Sequence, residues 1–181
     1  MHFNTGVIIP PRITKKSGVR QVRHAVDKLL FRFSEEFEVK LYDEECDCIV
    51  PSSSFPKKGN ARPGKPDPLC DECHGTGKMK TTYNNFACFE WWQIGGEWDG
   101  ELAGTKRISN SLWRNCVIVR DLPKDYYFFA IVTPNQKWHE QWQFMKRRRS
   151  EKKEITLWNE FQTSLLEKYA QNLVVLVDCH R

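Results

Sequence analysis

Between Asp43 and Thr82 the chain loses every hydrophobic period, yet a cysteine pair stands at either end of that stretch: Cys46-Asp47-Cys48 and Cys70-Asp71-Glu72-Cys73. The residues between are Pro, Gly, Ser and Lys for the most part, as in Ser52-Ser53-Ser54, Lys57-Lys58-Gly59 and Pro63-Gly64-Lys65-Pro66. A structureless segment of about 40 residues is abnormal in a compact domain unless something other than an apolar core holds it. Zinc can do so. It takes four tetrahedral ligands, and a C-x-x-C spacing lets one short turn present two thiolates while backbone N–H groups point at the sulfurs. The C-x-C pair is tighter, but an extended or turned segment still delivers both sulfurs. Metal binding supplies an apparent free energy on the order of 10 to 16 kcal/mol in small zinc modules, enough to offset the ordering of such a loop. The expected cofactor is therefore Zn2+ on Cys46, Cys48, Cys70 and Cys73, within an insertion spanning 43–82. His74, adjacent to Cys73, is an alternative to one of the C-x-C sulfurs. A redox-active Cys70/Cys73 pair and an iron–sulfur cluster rank below zinc.

Seven cysteines are an odd number, and four of them cluster in pairs, which favours metal in a reducing compartment over a disulfide framework. The opening residues Met1-His2-Phe3-Asn4-Thr5 lack the regions of a signal peptide, and no run approaches the roughly 18 apolar residues of a membrane span. The chain is expected to be cytoplasmic, with no membrane partner. Cys88, Cys116 and Cys179 sit among apolar residues and are expected to be small core residues.

At 181 residues, with 40% hydrophobic and 13% aromatic content, one folded domain over 1–181 is expected. His2 to Ile9 has strand character and is stopped by Pro10-Pro11. A helix follows with Ser17 as N-cap, its stripe formed by Val19, Val22, Val26, Leu29 and Phe33. Phe37, Val39 and Leu41 alternate with polar residues, the period of a half-buried strand, which completes a βαβ opening. After the cysteine loop, Cys116–Arg120, Tyr126–Val132 and Trp138–Phe144 are expected strands, the last two joined in a hairpin by Thr133-Pro134-Asn135-Gln136. A second helix over 151–171 places Ile155, Trp158, Phe161, Leu165 and Tyr169 on one face, and the apolar run 173–177 has the composition of a central strand. The fold class that emerges is α+β: a ferredoxin-like βαβ…ββαβ core carrying an inserted zinc-binding loop.

Charge is uneven. Lys and Arg outnumber Asp and Glu by 28 to 23, a net of +5. Glu35, Glu36, Glu38, Asp43, Glu44, Glu45 and Asp47 make one end acidic, whereas Lys146-Arg147-Arg148-Arg149 is a concentrated basic run. That run is either a solvated face or a phosphate contact, and Lys57, Lys58, Lys65, Lys78 and Lys80 could extend the latter. In Trp91–Gly100, Trp92, Gly95, Gly96, Trp98 and Asp99 either line a ligand pocket, with an indole stacking on a base, or form a sharp bend whose Trp rings are core. His139 alternates out of a strand. In Asp178-Cys179-His180, strand alternation sends Cys179 to the face opposite Asp178 and His180, so no nucleophile pair forms and no catalytic residue is assigned.

Cys70-Asp71-Glu72-Cys73-His74-Gly75-Thr76-Gly77 resembles the C-x-x-C-x-G-x-G repeat of the DnaJ cysteine-rich domain, in which paired copies each bind zinc and the glycines let the backbone fold around the metal. This chain has one copy, no J-domain signature and a C-x-C partner pair, so chaperone activity is not implied. More broadly, Tyr83-Asn84, Trp91-Trp92-Gln93-Ile94-Gly95-Gly96-Glu97-Trp98-Asp99-Gly100, Ala130-Ile131-Val132-Thr133-Pro134 with Trp138-His139, and the closing Val177-Asp178-Cys179-His180 are similar to a family of uncharacterised bacteriophage and bacterial proteins. That resemblance implies a phage or mobile-element context, hence an early protein in the host-cell cytoplasm acting on a host target. The expected function is a zinc-stabilised binding protein engaging nucleic acid or a host (nucleo)protein, inhibiting a host defence system such as CRISPR. The alternative is a nucleotide-sequestering protein or hydrolase with its pocket at Trp92–Asp99.

Overall fold

Leu173 to Cys179 are buried without a break, because β8 (Leu173–His180) is a strand flanked on both edges. The computed structural model describes residues 1–49, 64–104, 108–123, 125–145 and 151–181. The basic run Lys146–Arg149 and the loop residues Lys57 and Lys58 lie outside the described residues. The chain divides into two compact units, one of 1–37 with 86–181 and one of 38–85.

In the larger unit β8 pairs antiparallel with β1 (His2–Ile8), from His2↔His180 to Ile8↔Val174. The other edge of β8 is shared by β4 (Trp91–Ile94) and β5 (Cys116–Ile118), placed one after the other along it. Beyond β1 lies β6 (Ala130–Val132), parallel to it, and then β7 (Trp138–Glu140), which closes the expected hairpin. The class is α+β as expected, but the pairing does not confirm a ferredoxin-like arrangement. In a split βαβ core another strand separates the two parallel ones, whereas here β1 and β6 are direct neighbours.

The sheet buries both faces. Phe3, Val7, Ala130, Val132, Val175, Val177 and Cys179 share one core with α1 (Val19–Leu30), which contributes Val22, Ala25, Val26, Leu29 and Leu30. Ile8, Ile131, Phe128, Val174 and Leu176 form the second core, against which Leu165, Leu166 and Tyr169 pack. Gly6 lies under the Phe128 ring: a Cβ there would sit 3.0 Å from it.

Several expectations are corrected. Ser17 does not cap α1: it closes a 3-10 turn, Lys15–Ser17, in a capping box with Thr14, and Gly18 at φ 81° redirects the chain before the helix starts. No strand forms over 37–41, and Leu41 is exposed. The ring of Phe37 packs on Phe31 instead. The helix α3 (Glu151–Lys168) is rotated from the face drawn on hydrophobicity: Ile155 is 38% exposed while Gln162 is fully buried. The reason is hydrogen bonding. Trp158 Nε1 donates to the Phe128 carbonyl at 2.9 Å, and Gln162 Oε1 accepts the Phe128 N–H at 3.1 Å, satisfying backbone groups that would otherwise be buried unpaired. A short helix, α2 (Ser111–Arg114), is capped by the Asn110 side chain. No helix among the described residues is long and apolar enough to cross a membrane.

The smaller unit is a two-stranded antiparallel ribbon, β2 (Tyr42–Glu45) and β3 (Lys78–Thr81), with Tyr42↔Thr81 and Glu45↔Lys78 as its ends. Val39 N–H donates to Thr82 O at 2.9 Å and extends the ladder by one bond.

Candidate metal centre

The ribbon delivers both cysteine pairs to one place: β2 runs into Cys46 and Cys48, while the segment that leads into β3 carries Cys70 and Cys73. The four Sγ atoms all lie within 4.8 Å of one another. Cys46 and Cys70 are 3.7 Å apart and Cys48 and Cys73 are 3.4 Å apart, pairing the sulfurs across the two turns. A tetrahedron of 2.3 Å zinc–sulfur bonds has edges of about 3.8 Å. The spacing therefore suits a zinc ion at the centre. Cys46 and Cys73 are buried and the other two half-buried.

Backbone hydrogen bonds hold the turns. Cys46 N–H donates to Gly77 O at 3.0 Å and His74 N–H to Cys70 O at 2.8 Å, while Gly77 N–H points at the Cys73 sulfur at 3.3 Å. Gly75 and Gly77 have φ of 78° and 73°, and a Cβ on Gly77 would meet Pro66 at 3.1 Å and Ile49 at 3.2 Å. Only glycine adopts this backbone without strain and also lets the chain approach so closely. His74 has φ 50°, is exposed, and is not part of the converging group.

The electrostatics favour a cation. Burial raises the Cys73 thiol, but the Gly77 N–H and the three neighbouring thiols outweigh it and bring it down to about 7. At Cys46 a backbone hydrogen bond lowers the value, yet desolvation and bonds to the other thiols drive it up to about 12. Cys48 is raised as well, chiefly by desolvation. Cys73 thus gives up its proton readily while Cys46 and Cys48 resist, a resistance that a divalent ion would reverse. Among the described residues 38–85, the fully buried side chains are Cys46, Cys73 and Asn84, so no aliphatic or aromatic core competes with the thiol cluster as the centre of this unit.

The other sequence-derived candidates lie in the larger unit. Gly95 and Gly96 turn sharply, at φ 76° and 55°, but protein fills the space before them: a Cβ on Gly95 would come within 2.5 Å of Asn115 Nδ2, and one on Gly96 would collide with Asp178. Asp99 accepts from Arg114 Nε at 3.1 Å and from Asn115 Nδ2 at 2.6 Å, and Asn115 Oδ1 accepts the Gly100 N–H at 2.8 Å. Trp92 packs on the first core and Trp98 on the second. These residues form a bracket between β4 and α2. Cys116 and Cys179 are fully buried in the first core, with Cys88 packed against it, and burial raises all three thiols to about 12. His139 lies 5.2 Å from the Phe161 ring, and burial followed by Lys137 lowers its pKa. As alternation requires, Cys179 faces the core, away from Asp178 and His180.

Sequence reasoning missed Asn115 and His2. Asn115 is fully buried and ties the Gly-Gly turn to α2; His2 lies against Asp178 because β1 pairs with β8. Neither has a local sequence signal, since both gain their partners through long-range pairing. Compared with family models, curated proteins and solved structures, the chain matches none.

Proposed function

We propose that this chain is a zinc-stabilised binding protein that engages nucleic acid, or a host nucleoprotein, through lysines and arginines that contact phosphate. The observation that carries the reading is the convergence of four thiols, the group of candidate metal ligands found among the described residues. An all-sulfur site is closed, whereas a catalytic zinc keeps one position open for water or substrate. The ion in such a site maintains the shape of a surface. Exposed Lys65, Lys78 and Lys80 belong to the same unit as the thiols, and the chain carries a net charge of +5. The run Lys146-Arg147-Arg148-Arg149 adds four positive charges in sequence. The bacteriophage resemblance extends the reading to inhibition of a host defence nucleoprotein.

The test is fluorescence anisotropy of the zinc-loaded chain with short DNA and RNA oligomers across a salt series. Affinity is expected to fall linearly in log–log coordinates, by roughly 0.7 to 0.9 decades per decade of salt for each phosphate contacted. Arg147→Glu with Arg148→Glu should weaken binding and flatten that slope. No binding to any oligomer, or binding that ignores the double reversal, would overturn the proposal.

A further inference from the structure

Between residues 10 and 34 the chain has seven Lys or Arg and one acid, Asp27, a surplus of six where the whole chain carries a net of +5. The rest of the chain is therefore close to neutral. Arg12, Lys15, Lys16, Arg20, Arg23 and Lys28 are all exposed, and among the described residues none of them is paired with a carboxylate. The Lys and Arg ion pairs lie elsewhere, at Lys80, Arg114, Arg120 and Arg181.

The fold holds these cations in place. Thr14 N–H donates to Ser17 Oγ at 3.0 Å and Lys16 N–H to Thr14 Oγ1 at 3.3 Å, which fixes the turn that carries Lys15 and Lys16. In α1 the buried side is Val22, Ala25, Val26, Leu29 and Leu30, so the exposed Arg20, Arg23, His24 and Lys28 take the other side. Arg20, His24 and Lys28 follow one another at four-residue spacing and form a row along the helix. Arg12, from the segment after β1, joins His24 and Lys28 around a cavity of about 250 Å³, whose walls include Ile13, Leu29 and Pro134 and no carboxylate. Gln136 Nε2 donates to Lys28 O at 3.3 Å and ties the turn between β6 and β7, the far wall, to the helix.

Like charges gathered this closely repel one another in the free chain and attract a polyanion. The chemistry of the face narrows the choice. No exposed large hydrophobic side chain falls within 10–30, and the apolar side of α1 is spent on the core, so nothing is left to enter a lipid layer as an interfacial helix does. Nor does any Phe, Tyr or Trp fall within 10–30, so unpaired bases have no ring of that kind to stack on. A duplex needs neither: its bases are stacked inside and its phosphates lie outside. We propose that this face binds double-stranded nucleic acid through its phosphate backbone, whatever the base sequence, with Arg12, His24 and Lys28 taking a phosphate at the cavity and Arg20 and Arg23 its neighbours. The assignment rests on the nucleic-acid reading above and adds to it a surface in the larger unit, separate in sequence from the run 146–149.

The test is fluorescence anisotropy of the zinc-loaded full chain with two labelled DNA duplexes of unrelated sequence across a salt series, beside sedimentation with vesicles containing phosphatidylserine. Both duplexes are expected to bind with equal affinity. Arg20→Gln with Arg23→Gln should weaken binding at least about tenfold at low salt and reduce the log–log salt slope by about 1.8, at roughly 0.9 per phosphate contact. Arg12→Gln with Lys28→Gln, at the cavity, should do the same. Lys40→Gln with Lys168→Gln removes the same net charge from exposed positions outside the stretch and should leave the slope unchanged. Equal loss with this control pair would mean that net charge alone attracts the duplex and overturns the assignment, as does binding to the vesicles but to neither duplex. If Arg147→Glu with Arg148→Glu weakens binding while Arg20→Gln with Arg23→Gln does not, this face is excluded and the nucleic-acid reading stands. A chain that binds neither duplexes nor single strands overturns both.

Discussion

Gly77 donates its backbone N–H to the Cys73 sulfur at 3.3 Å, four residues back along the chain, and so couples the turn after the second cysteine pair to the charge on that thiol. The coupling sets the direction of a pH effect. Cys73 titrates at about 7 whereas Cys46 stays protonated to about 12 and Cys48 is raised, so zinc must displace protons from Cys46 and Cys48 at neutral pH. Below pH 7 the last ready thiolate is also protonated. Apparent zinc affinity is therefore expected to rise with pH and to fall most steeply below pH 7. Competition with a chromophoric chelator between pH 5.5 and 8.5 measures the slope; a flat profile would mean that thiolates are not the ligands.

Metal removal should act on one unit alone. The described part of 38–85 buries thiols rather than aliphatic or aromatic side chains, whereas the larger unit has two apolar cores of its own. Binding energy on the order of 10 to 16 kcal/mol is the folding energy of such a metal-held module. Chelation, or Cys73→Ser, is expected to abolish amide protection at β2 and β3 while β1 and β8 keep theirs. Hydrogen exchange with mass spectrometry reads both at once.

Gly77→Ala tests the glycines independently of the thiols. The left-handed backbone costs a non-glycine residue roughly 1 to 2 kcal/mol, and the added methyl would press on Pro66 and Ile49. The expected outcome is a zinc affinity lower by about one decade or more, since 1.4 kcal/mol is a factor of ten. Gly18→Ala is the matched control for φ alone: its φ is also positive, but no atom lies within 4 Å of the added carbon. It should leave zinc affinity untouched.

What could be read from the residues follows physical range. Short-range signals succeeded: the C-x-x-C-x-G-x-G turn, the hairpin around Pro134, the buried run of β8 and the alternation that separates Cys179 from His180 are all set within a few residues. Interactions that depend on pairing across the chain did not show. Nothing in Phe37-Glu38-Val39-Lys40-Leu41 reveals that the main sheet offers it no partner, and β6, the parallel neighbour of β1, comes from the far side of the insertion. Gln162 is polar in sequence, and the partner it meets when buried, the Phe128 N–H that its Oε1 accepts, lies 34 residues away. The Trp-Gly-Gly-Trp segment was legible as a sharp bend, but its occupants, Asn115 and Asp178, come from α2 and β8.

The bracket around that bend has a measurable weight. Asn115 makes five hydrogen bonds from a fully buried position: its side chain reaches Asp99, Gly100 and Ser111, its N–H donates to Leu112 O, and its carbonyl accepts the Leu176 N–H. Asn115→Ala would leave the Gly100 N–H unpaired beside a small cavity, at about 1 to 3 kcal/mol for the lost partner. Asp99→Ala should cost less, because the Arg114–Asp99 pair is about one-third exposed and partly screened. Urea unfolding of both variants gives the order. The reverse order would mean that Asp99, rather than Asn115, anchors the turn.

The rotated face of α3 yields the sharpest comparison. Hydrophobicity places Ile155 in the core, yet it is 38% exposed, and Trp158 one turn later is 1% exposed with its indole N–H bonded to Phe128 O. Ile155→Ala should therefore change stability by no more than about 0.5 kcal/mol, as surface substitutions do. Trp158→Ala removes a buried indole stacked near Phe144 and Phe161 and unpairs the Phe128 carbonyl, a loss of roughly 3 to 5 kcal/mol. Gln162→Leu separates packing from hydrogen bonding at the same site. It keeps the volume but strands the Phe128 N–H, so a cost of about 1 to 3 kcal/mol is expected despite the gain in apolar character. Denaturant midpoints of the three variants measure this, and a stabilised Gln162→Leu would show that hydrophobic periodicity, not the Phe128 backbone, sets the orientation of the helix.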